Sequence, residues 1–341
     1  MKYACEGFAD RSFFDRIDLI ADNDSEKRVF TFEGLEKPVT SIENCLEMAE
    51  KEPLILITVV YCLDVLEQLN NIPDLNHCFF SIYLLAQDFV EPYQLPANRA
   101  ESEPLKIPKT IHYCWFGGSP IRDDFKEYIE TWKKFCPDYE IVRWDESNYD
   151  YKKNEYMYEA YKHKKWGFVS DYARLDIIYS CGGVYFDTDV ELIRNIDDLL
   201  CDAAFYGFAY RGIVANGLGF GAVAGFPLIL EQMKIYDKIS FLNEDDSLNL
   251  KLGPYYQTEL MNSKGLVTNN TLQKINGMTV YPSDVLSPLS AMTGILTITD
   301  NTYAIHHYAG TWFDNVSHGK RNMLLEKFKF LAEEIEERFP Q

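Results

Sequence analysis

Residues 182–189 read Gly182-Gly183-Val184-Tyr185-Phe186-Asp187-Thr188-Asp189. The apolar triplet Val184-Tyr185-Phe186 is a short buried strand, entered from a glycine pair and delivering two carboxylates at its end. Ahead of it, residues 169–180 read as a helix for which Gly182-Gly183 is a natural C-cap. Open α/β sheets hold their ligands beyond the carboxyl ends of the strands, so Asp187 and Asp189 sit where a ligand is expected. Alternation puts residues i and i+2 of a strand on the same side. Two like charges held that close repel unless a cation lies near them. A hard divalent ion, Mg2+ or Mn2+, suits oxygen ligands and bridges to phosphates. An Asp-x-Asp alone is weak evidence, because an acidic chain carries solvated turns of that form by chance.

The flanking sequence continues the α/β alternation. A strand is expected over 109–116, closed by Gly117-Gly118, then a helix over 122–135. The helix keeps Phe125, Tyr128, Ile129, Trp132 and Phe135 at three- to four-residue spacing. Pro137-Asp138 ends it, and 139–144 reads as the next strand. Upstream, residues 17–22 read as a strand ending in an Asp-Asn-Asp turn. Ser41 opens a helix to about residue 51, 54–60 is a fully buried strand, 63–69 is helical, and 78–85 is strand again. This β-α-β-α-β rhythm implies a parallel sheet. Pro92, Pro96, Pro104 and Pro108, with the polar stretch 98–103 between them, look like a linker. The expected division is therefore a small accessory domain over 1–100 and a larger one over 101–341.

Composition narrows the function classes. The 341 residues carry 33 basic and 53 acidic side chains, a net charge of −20. Of these, 20 acidic and 8 basic residues fall in 1–104. That balance argues against a nucleic-acid binder, which needs a basic footprint, and against broad adhesion to anionic lipid. The longest apolar run, 54–62, is about half the ~18–20 residues that a membrane span requires. The N-terminus has no apolar core of a signal peptide. Eight cysteines, none in C-x-x-C spacing, fit a reducing compartment without a disulfide framework or a zinc site. A cytoplasmic protein is expected. Residues 321–339 read as a helix with apolar positions Leu324, Leu325, Phe328, Leu331, Ile335 and Phe339. Core packing is its plain reading; peripheral contact at the inner membrane face is disfavoured by Glu333, Glu334, Glu336 and Glu337.

Four stretches in order change the weight of the Asp-Thr-Asp. They are Ile111-His112-Tyr113-Cys114-Trp115-Phe116-Gly117-Gly118, Ser170-Asp171-Tyr172-Ala173-Arg174, residues 182–189, and Ala304-Ile305-His306-His307-Tyr308-Ala309-Gly310-Thr311-Trp312. Over roughly residues 105–315 this set resembles glycosyltransferase family 32, which includes capsular polysaccharide enzymes and yeast α-mannosyltransferases. More distantly it is similar to the glucosylating domain of the large clostridial toxins. The resemblance implies a GT-A fold, a nucleotide-sugar donor, a metal ion and retention of anomeric configuration. The segment before it resembles the trailing half of a Rossmann-type domain. No G-x-G-x-x-G opens that segment, so the phosphate cradle of a dinucleotide site is missing, and a structural or protein-binding role is expected.

Carried residue by residue, the resemblance implies that Trp115 stacks on the donor base. Asp171 and Arg174, three apart on one helix face, grip the donor sugar hydroxyls, with Ser170 beside them. Tyr185 lies near the diphosphate. Asp187 contacts the sugar and the metal, Asp189 is a direct metal ligand, and Trp312 closes over the diphosphate. Asn216 matches a sugar-contacting asparagine, and Gly253-Pro254 with Thr258 resembles a loop near the acceptor. The His307-Tyr308-Ala309-Gly310 turn resembles one that supplies a late metal ligand in related enzymes such as glycogenin. His307 is preferred over His306, since strand neighbours face opposite sides. His112 is read as structural. The implied partners are a nucleotide-sugar donor, of which UDP is favoured, and a glycan or lipid-linked oligosaccharide acceptor. The rival from another class is a catalytically degenerate transferase-fold scaffold in a polysaccharide assembly complex, against which the intact Asp-Thr-Asp and Arg174 weigh.

Overall fold

The structure is a computed structural model. It describes residues 93–310, apart from 97, 210–211, 292–293 and 295, together with 17–22, 24, 26–32, 35–48, 54–57, 65, 68–69, 71–72 and 79–82. Trp312 and the helix expected over 321–339 lie outside the described residues. The chain divides into two compact units, with the break after Gln87.

The first unit contains β1 (Ile20–Ala21), β2 (Val29–Phe32), β3 (Leu35–Thr40), α1 (Ile42–Met48), β4 (Leu54–Ile57) and β5 (Phe79–Ile82). Ser41 opens α1 as expected: its hydroxyl accepts from Asn44 N–H at 3.3 Å. β1 runs parallel to β3, and β4 parallel to β5. The antiparallel pair β2–β3 goes beyond the sequence expectation. Its second strand, Leu35-Glu36-Lys37-Pro38-Val39-Thr40, contains a proline and lacks clean apolar alternation, which hides it from a pattern search.

The second unit begins with α2 (Arg99–Ser102), β6 (Thr110–Cys114), α3 (Asp123–Phe135), β7 (Glu140–Trp144), α4 (Glu155–Lys162), α5 (Trp166–Cys181), β8 (Gly183–Tyr185) and β9 (Val190–Leu192). It continues with β10 (Ala204–Gly207), β11 (Phe220–Ala222), α6 (Pro227–Tyr236), α7 (Gly253–Ser263), β12 (Gln273–Ile275), β13 (Met278–Tyr281), α8 (Ser283–Leu286) and β14 (Ala304–His306). Seven strands form one mixed sheet in the order β12-β13-β10-β11-β8-β6-β7. β6 is parallel to both β7 and β8, while β11 runs antiparallel between β8 and β10. This is the mixed α/β class expected from the alternating pattern. β9 and β14 form a separate antiparallel ribbon.

The sheet has an apolar core on each face. Tyr185, Tyr206 and Phe220 belong to the core shared with α4, α5 and α6. Val184, Phe186 and Phe205, one residue out of phase, belong to the core shared with α3, β9 and α8. That split is the two-residue alternation of a strand with both faces covered. α5 is buried on nearly every side, including Ser170, Asp171 and Arg174, so its polar side chains are held inside the unit.

The Pro-rich stretch is not a free linker. Tyr93 donates its hydroxyl to Asp284 at 2.8 Å, and Leu95 N–H donates to the Asn301 side chain at 3.0 Å. The Asn301 amide donates back to Tyr93 O at 3.1 Å. Arg99 pairs with Asp202 at 3.0 Å and Glu103 at 2.8 Å. Residues from Tyr93 onward therefore belong to the second unit, ahead of the expected boundary at 100.

Trp132 ties α3 to the ribbon. It is wholly buried, its indole donates to Val190 O at 2.8 Å, and its ring meets Tyr113 and Phe186, each at 5.7 Å between centroids. Trp132→Ala is expected to cost about 3–5 kcal/mol in urea unfolding, the usual range for a buried large aromatic. A loss well under 1 kcal/mol would contradict this packing.

Candidate active site

β6 and β8 end side by side, with His112 paired to Tyr185. Their carboxyl ends therefore deliver Trp115 and Asp187 to one region of the sheet edge. The two carboxylates are brought together differently from the expectation. β8 stops at Tyr185, and Asp187-Thr188-Asp189 forms a tight turn closed by Val190 N–H donating to Asp187 O at 3.2 Å. A turn into β9, and not strand alternation, sets the spacing.

Arg174 organises the first carboxylate pair. Its guanidinium lies 3.2 Å from Asp171 and 3.6 Å from Asp187, and its Nε–H donates to Ser170 O at 2.9 Å. The Arg174–Asp171 contact is the i, i+3 relation read from the sequence. The Arg174 guanidinium carbon also stands 5.1 Å from the centre of the Tyr185 ring, and Tyr185 donates its hydroxyl to Asp187 at 3.0 Å. Asp187 N–H donates to Gly217 O at 3.0 Å. A Cβ at Gly217 would run into Asp187 Oδ2 and Arg174 Nη1, so glycine is required by close approach. Burial raises Asp187 above its ordinary value, outweighing the pull of Arg174. Burial likewise lifts Asp171 to about 6 despite Arg174.

Asp189 behaves in the opposite way. Burial would raise it, but the His306 imidazole at 3.3 Å and the Ala309 N–H at 2.9 Å hold it at about 2. The turn that presents Ala309 has Tyr308 at φ 49° and Gly310 at φ 62°. Asp187, Asp189 and His306 each place one ligand atom within 4.8 Å of the others. His306 Nδ1 is buried and without a hydrogen-bond partner. Two carboxylates and one imidazole, whose Nδ1 has no other use, fit a divalent cation of the Mn2+ type.

The late histidine differs from the expectation. His306 faces the carboxylates, while His307 stacks flat on Tyr128 at 4.3 Å and meets Glu191 at 3.0 Å. The two do face opposite ways, but the phase is fixed by the ribbon register, His306 opposite Val190. That is a non-local fact.

The remaining residues divide. Cys114, the last residue of β6, lies in the field of Arg174 and Tyr185, and burial pushes its thiol up to about 12. Trp115 follows it, half-buried, with its indole donating to Ser119 O at 2.6 Å and its edge against Phe125 at 6.0 Å. Ser170 donates its hydroxyl to Trp166 O at 3.2 Å, inside its own helix. Asn216 is buried, and both polar atoms of its amide lack partners; its N–H donates to Gln257 at 3.3 Å. Thr258 holds the same loop, accepting from Val214 N–H at 2.9 Å. His112 is structural: Trp144 donates to its Nδ1 at 3.1 Å, and Nε2 meets Gly182 O at 3.0 Å. Burial lowers its pKa to about 4, which keeps the ring neutral. Gln257, which accepts from Asn216 N–H, has no local motif that marks it in the sequence.

Residues 122–206 match the family described as a glycosyltransferase sugar-binding region containing a DXD motif. That span carries Asp171, Arg174, Asp187 and Asp189, and DXD glycosyltransferases are the class to which it points. Inositol phosphoceramide mannosyltransferase 3 of Schizosaccharomyces pombe is 29% identical over 170 residues, 46% of this chain and 44% of that protein. An uncharacterized glycosyltransferase, L373 of Acanthamoeba polyphaga mimivirus, is 27% identical over 154 residues, 42% of this chain and 59% of that protein. The chain thus spans about half the length of the curated relatives it matches. Among solved structures, the PaToxG glycosyltransferase is similar over 49% of this chain and 73% of its own, with 19% identity and a TM-score of 0.38. No helix among the described residues is long and apolar enough to cross a membrane.

The raised Asp171 gives a signed pH dependence. The folded chain holds this proton to about pH 6, the unfolded chain only to about 3.8. Stability therefore falls as pH rises through that window. Relative to Asp171→Asn, the wild type should lose about 2–3 kcal/mol across it, read from urea unfolding between pH 4 and about 7. Parallel profiles would show that Asp171 does not titrate there.

Proposed function

We propose that this chain is a metal-dependent, retaining glycosyltransferase that moves a sugar from a nucleotide-sugar donor to a glycan acceptor. The observation that carries this reading is the convergence of Asp187, Asp189 and His306 within 4.8 Å, directly beside the buried Arg174–Asp171 pair. A divalent cation held by those three groups would neutralise charge on the departing nucleoside diphosphate. Arg174 and Asp171 orient the donor sugar through its hydroxyls. Trp115, at the neighbouring strand end, offers a ring to the base, and the unpartnered Asn216 amide is available to the sugar. Tyr185 fixes Asp187 by its hydrogen bond, so the carboxylate does not swing.

Retention would follow from attack by the acceptor hydroxyl on the leaving-group face of an oxocarbenium-like sugar, with a donor phosphate oxygen as base. The family resemblance supports that course and favours a UDP-sugar. One relative is named a mannosyltransferase, so GDP-sugars belong in the same screen. A surface polysaccharide or a lipid-linked oligosaccharide is the acceptor class we favour.

The test is release of nucleoside diphosphate from a panel of UDP- and GDP-sugars with Mn2+ present. One donor should turn over. Asp189→Asn should lower its kcat/KM at least about a hundredfold, the scale at which loss of a key electrostatic contact is felt, and EDTA should abolish turnover until Mn2+ is restored. Full activity in EDTA or in the variant would remove the metal from the mechanism. Silence with every donor would leave a transferase fold acting as a scaffold.

A further inference from the structure

Behind Asp171 the interior holds polar groups that the fold itself does not use. The hydroxyls of Tyr156 and Tyr236 are buried and have no hydrogen-bond partner, with the residues 0% and 1% exposed. Leaving a buried hydroxyl unsatisfied is costly, and a phenylalanine at either place would avoid that cost. The two rings meet edge to face at 5.1 Å.

Gly253, the first residue of α7, shows where the Tyr236 hydroxyl is aimed. A Cβ on Gly253 would stand 2.9 Å from the Tyr236 hydroxyl and 3.1 Å from Asp171 Oδ1. Hydroxyl and carboxylate therefore face the same small volume, and residue 253 lacks the side chain that would intrude on it. Asp171 has its Arg174 partner at 3.2 Å. A carboxylate has about four lone-pair sites, so Asp171 retains the capacity to accept again. A group that donates one hydrogen bond and accepts another satisfies both sides, and a sugar hydroxyl is such a group.

We propose that Tyr236 is a specificity-determining residue for the donor sugar: its hydroxyl donates to the same sugar hydroxyl from which Asp171 accepts, in space kept clear by Gly253. This rests on the reading of the site as a nucleotide-sugar transferase and adds how that site tells one sugar from another. A hydroxyl of the wrong configuration leaves Tyr236 unpaired, and sites built around a buried polar pair reject such analogues strongly.

The test is calorimetric binding in Mn2+ of UDP and GDP alone, and of UDP-glucose, UDP-galactose, UDP-N-acetylglucosamine and GDP-mannose, to wild type, Tyr236→Phe and Tyr156→Phe. Tyr236→Phe removes one oxygen and keeps the ring, so the packing survives. It should leave the affinity for the free nucleotide within about twofold and weaken the preferred nucleotide sugar about tenfold, the scale of one hydrogen bond. Against deoxy-sugar analogues of that donor, the wild type should be penalised most at one ring position, and Tyr236→Phe should be penalised less there, keeping only the loss of the hydrogen bond to Asp171. Tyr156→Phe, one ring further from Gly253, should have the smaller effect. Equal loss for nucleotide and nucleotide sugar, or no loss at all, would overturn the assignment and leave Tyr236 as a packing residue. Failure of the wild type to bind any nucleotide would overturn the transferase reading and the assignment with it. Binding of nucleotide with unaltered sugar discrimination in Tyr236→Phe overturns the assignment alone.

Discussion

The guanidinium of Arg174 lies between carboxylates from two different elements, Asp171 on its own helix and Asp187 beyond the end of β8. Taking a charge out of water costs several kcal/mol unless a partner with good geometry offsets it. One cation offsets two acids only in part, which is why burial still raises both Asp171 and Asp187. Arginine suits this place because its fork keeps several donors in one plane: one nitrogen serves the carboxylates while Nε is used on the Ser170 carbonyl. The same contact couples α5 to the central sheet, so the position of the acidic turn depends on a helix whose sides are almost all buried.

The second carboxylate of the turn is fixed by backbone as much as by charge. Asp189 O accepts from His307 N–H at 2.9 Å and its side chain accepts from Ala309 N–H at 2.9 Å. The ribbon of β9 and β14 thus brings residue 306 against residue 189 from far along the chain. A positive-φ tyrosine, Tyr308, makes the bend that follows, and its hydroxyl is shared with Ser287 at 2.6 Å. A site assembled this way is stiff on the Asp189 side, where three backbone and ring groups converge. The Asp187 side differs, because there burial raises the acid despite Arg174.

Much of the site was legible because its information is local. The Asp-Thr-Asp follows a strand marked by glycines and aromatics, and Asp171 and Arg174 are a helical turn apart, so both follow from short-range periodicity. The choice between His306 and His307 was not legible. Alternation shows that neighbours face opposite sides, but only the pairing of His306 with Val190 shows which side is which. Tyr236 and Gln257 come to the site through α6 and α7, whose packing no spacing rule records. The stretch 92–108 misleads for a related reason. Prolines and polar residues look like a solvated connector, yet Tyr93 and Leu95 find partners at Asp284 and Asn301, nearly two hundred residues on. In the first unit, β3 was missed because its strand carries Pro38 and charged neighbours.

The clasp between Tyr93 and Asn301 also sets a limit on how the protein can be cut. Asp284, which accepts from Tyr93, accepts from Thr299 at 2.8 Å as well, and Thr302 N–H is tied to Thr299 O at 3.1 Å, a few residues before His306. Residues ahead of the seven-stranded sheet therefore brace the segment that leads into the imidazole. A fragment begun at residue 101, where the prolines seem to invite a clean excision, would strip that brace away. Any isolated form of the second unit has to start upstream of Tyr93.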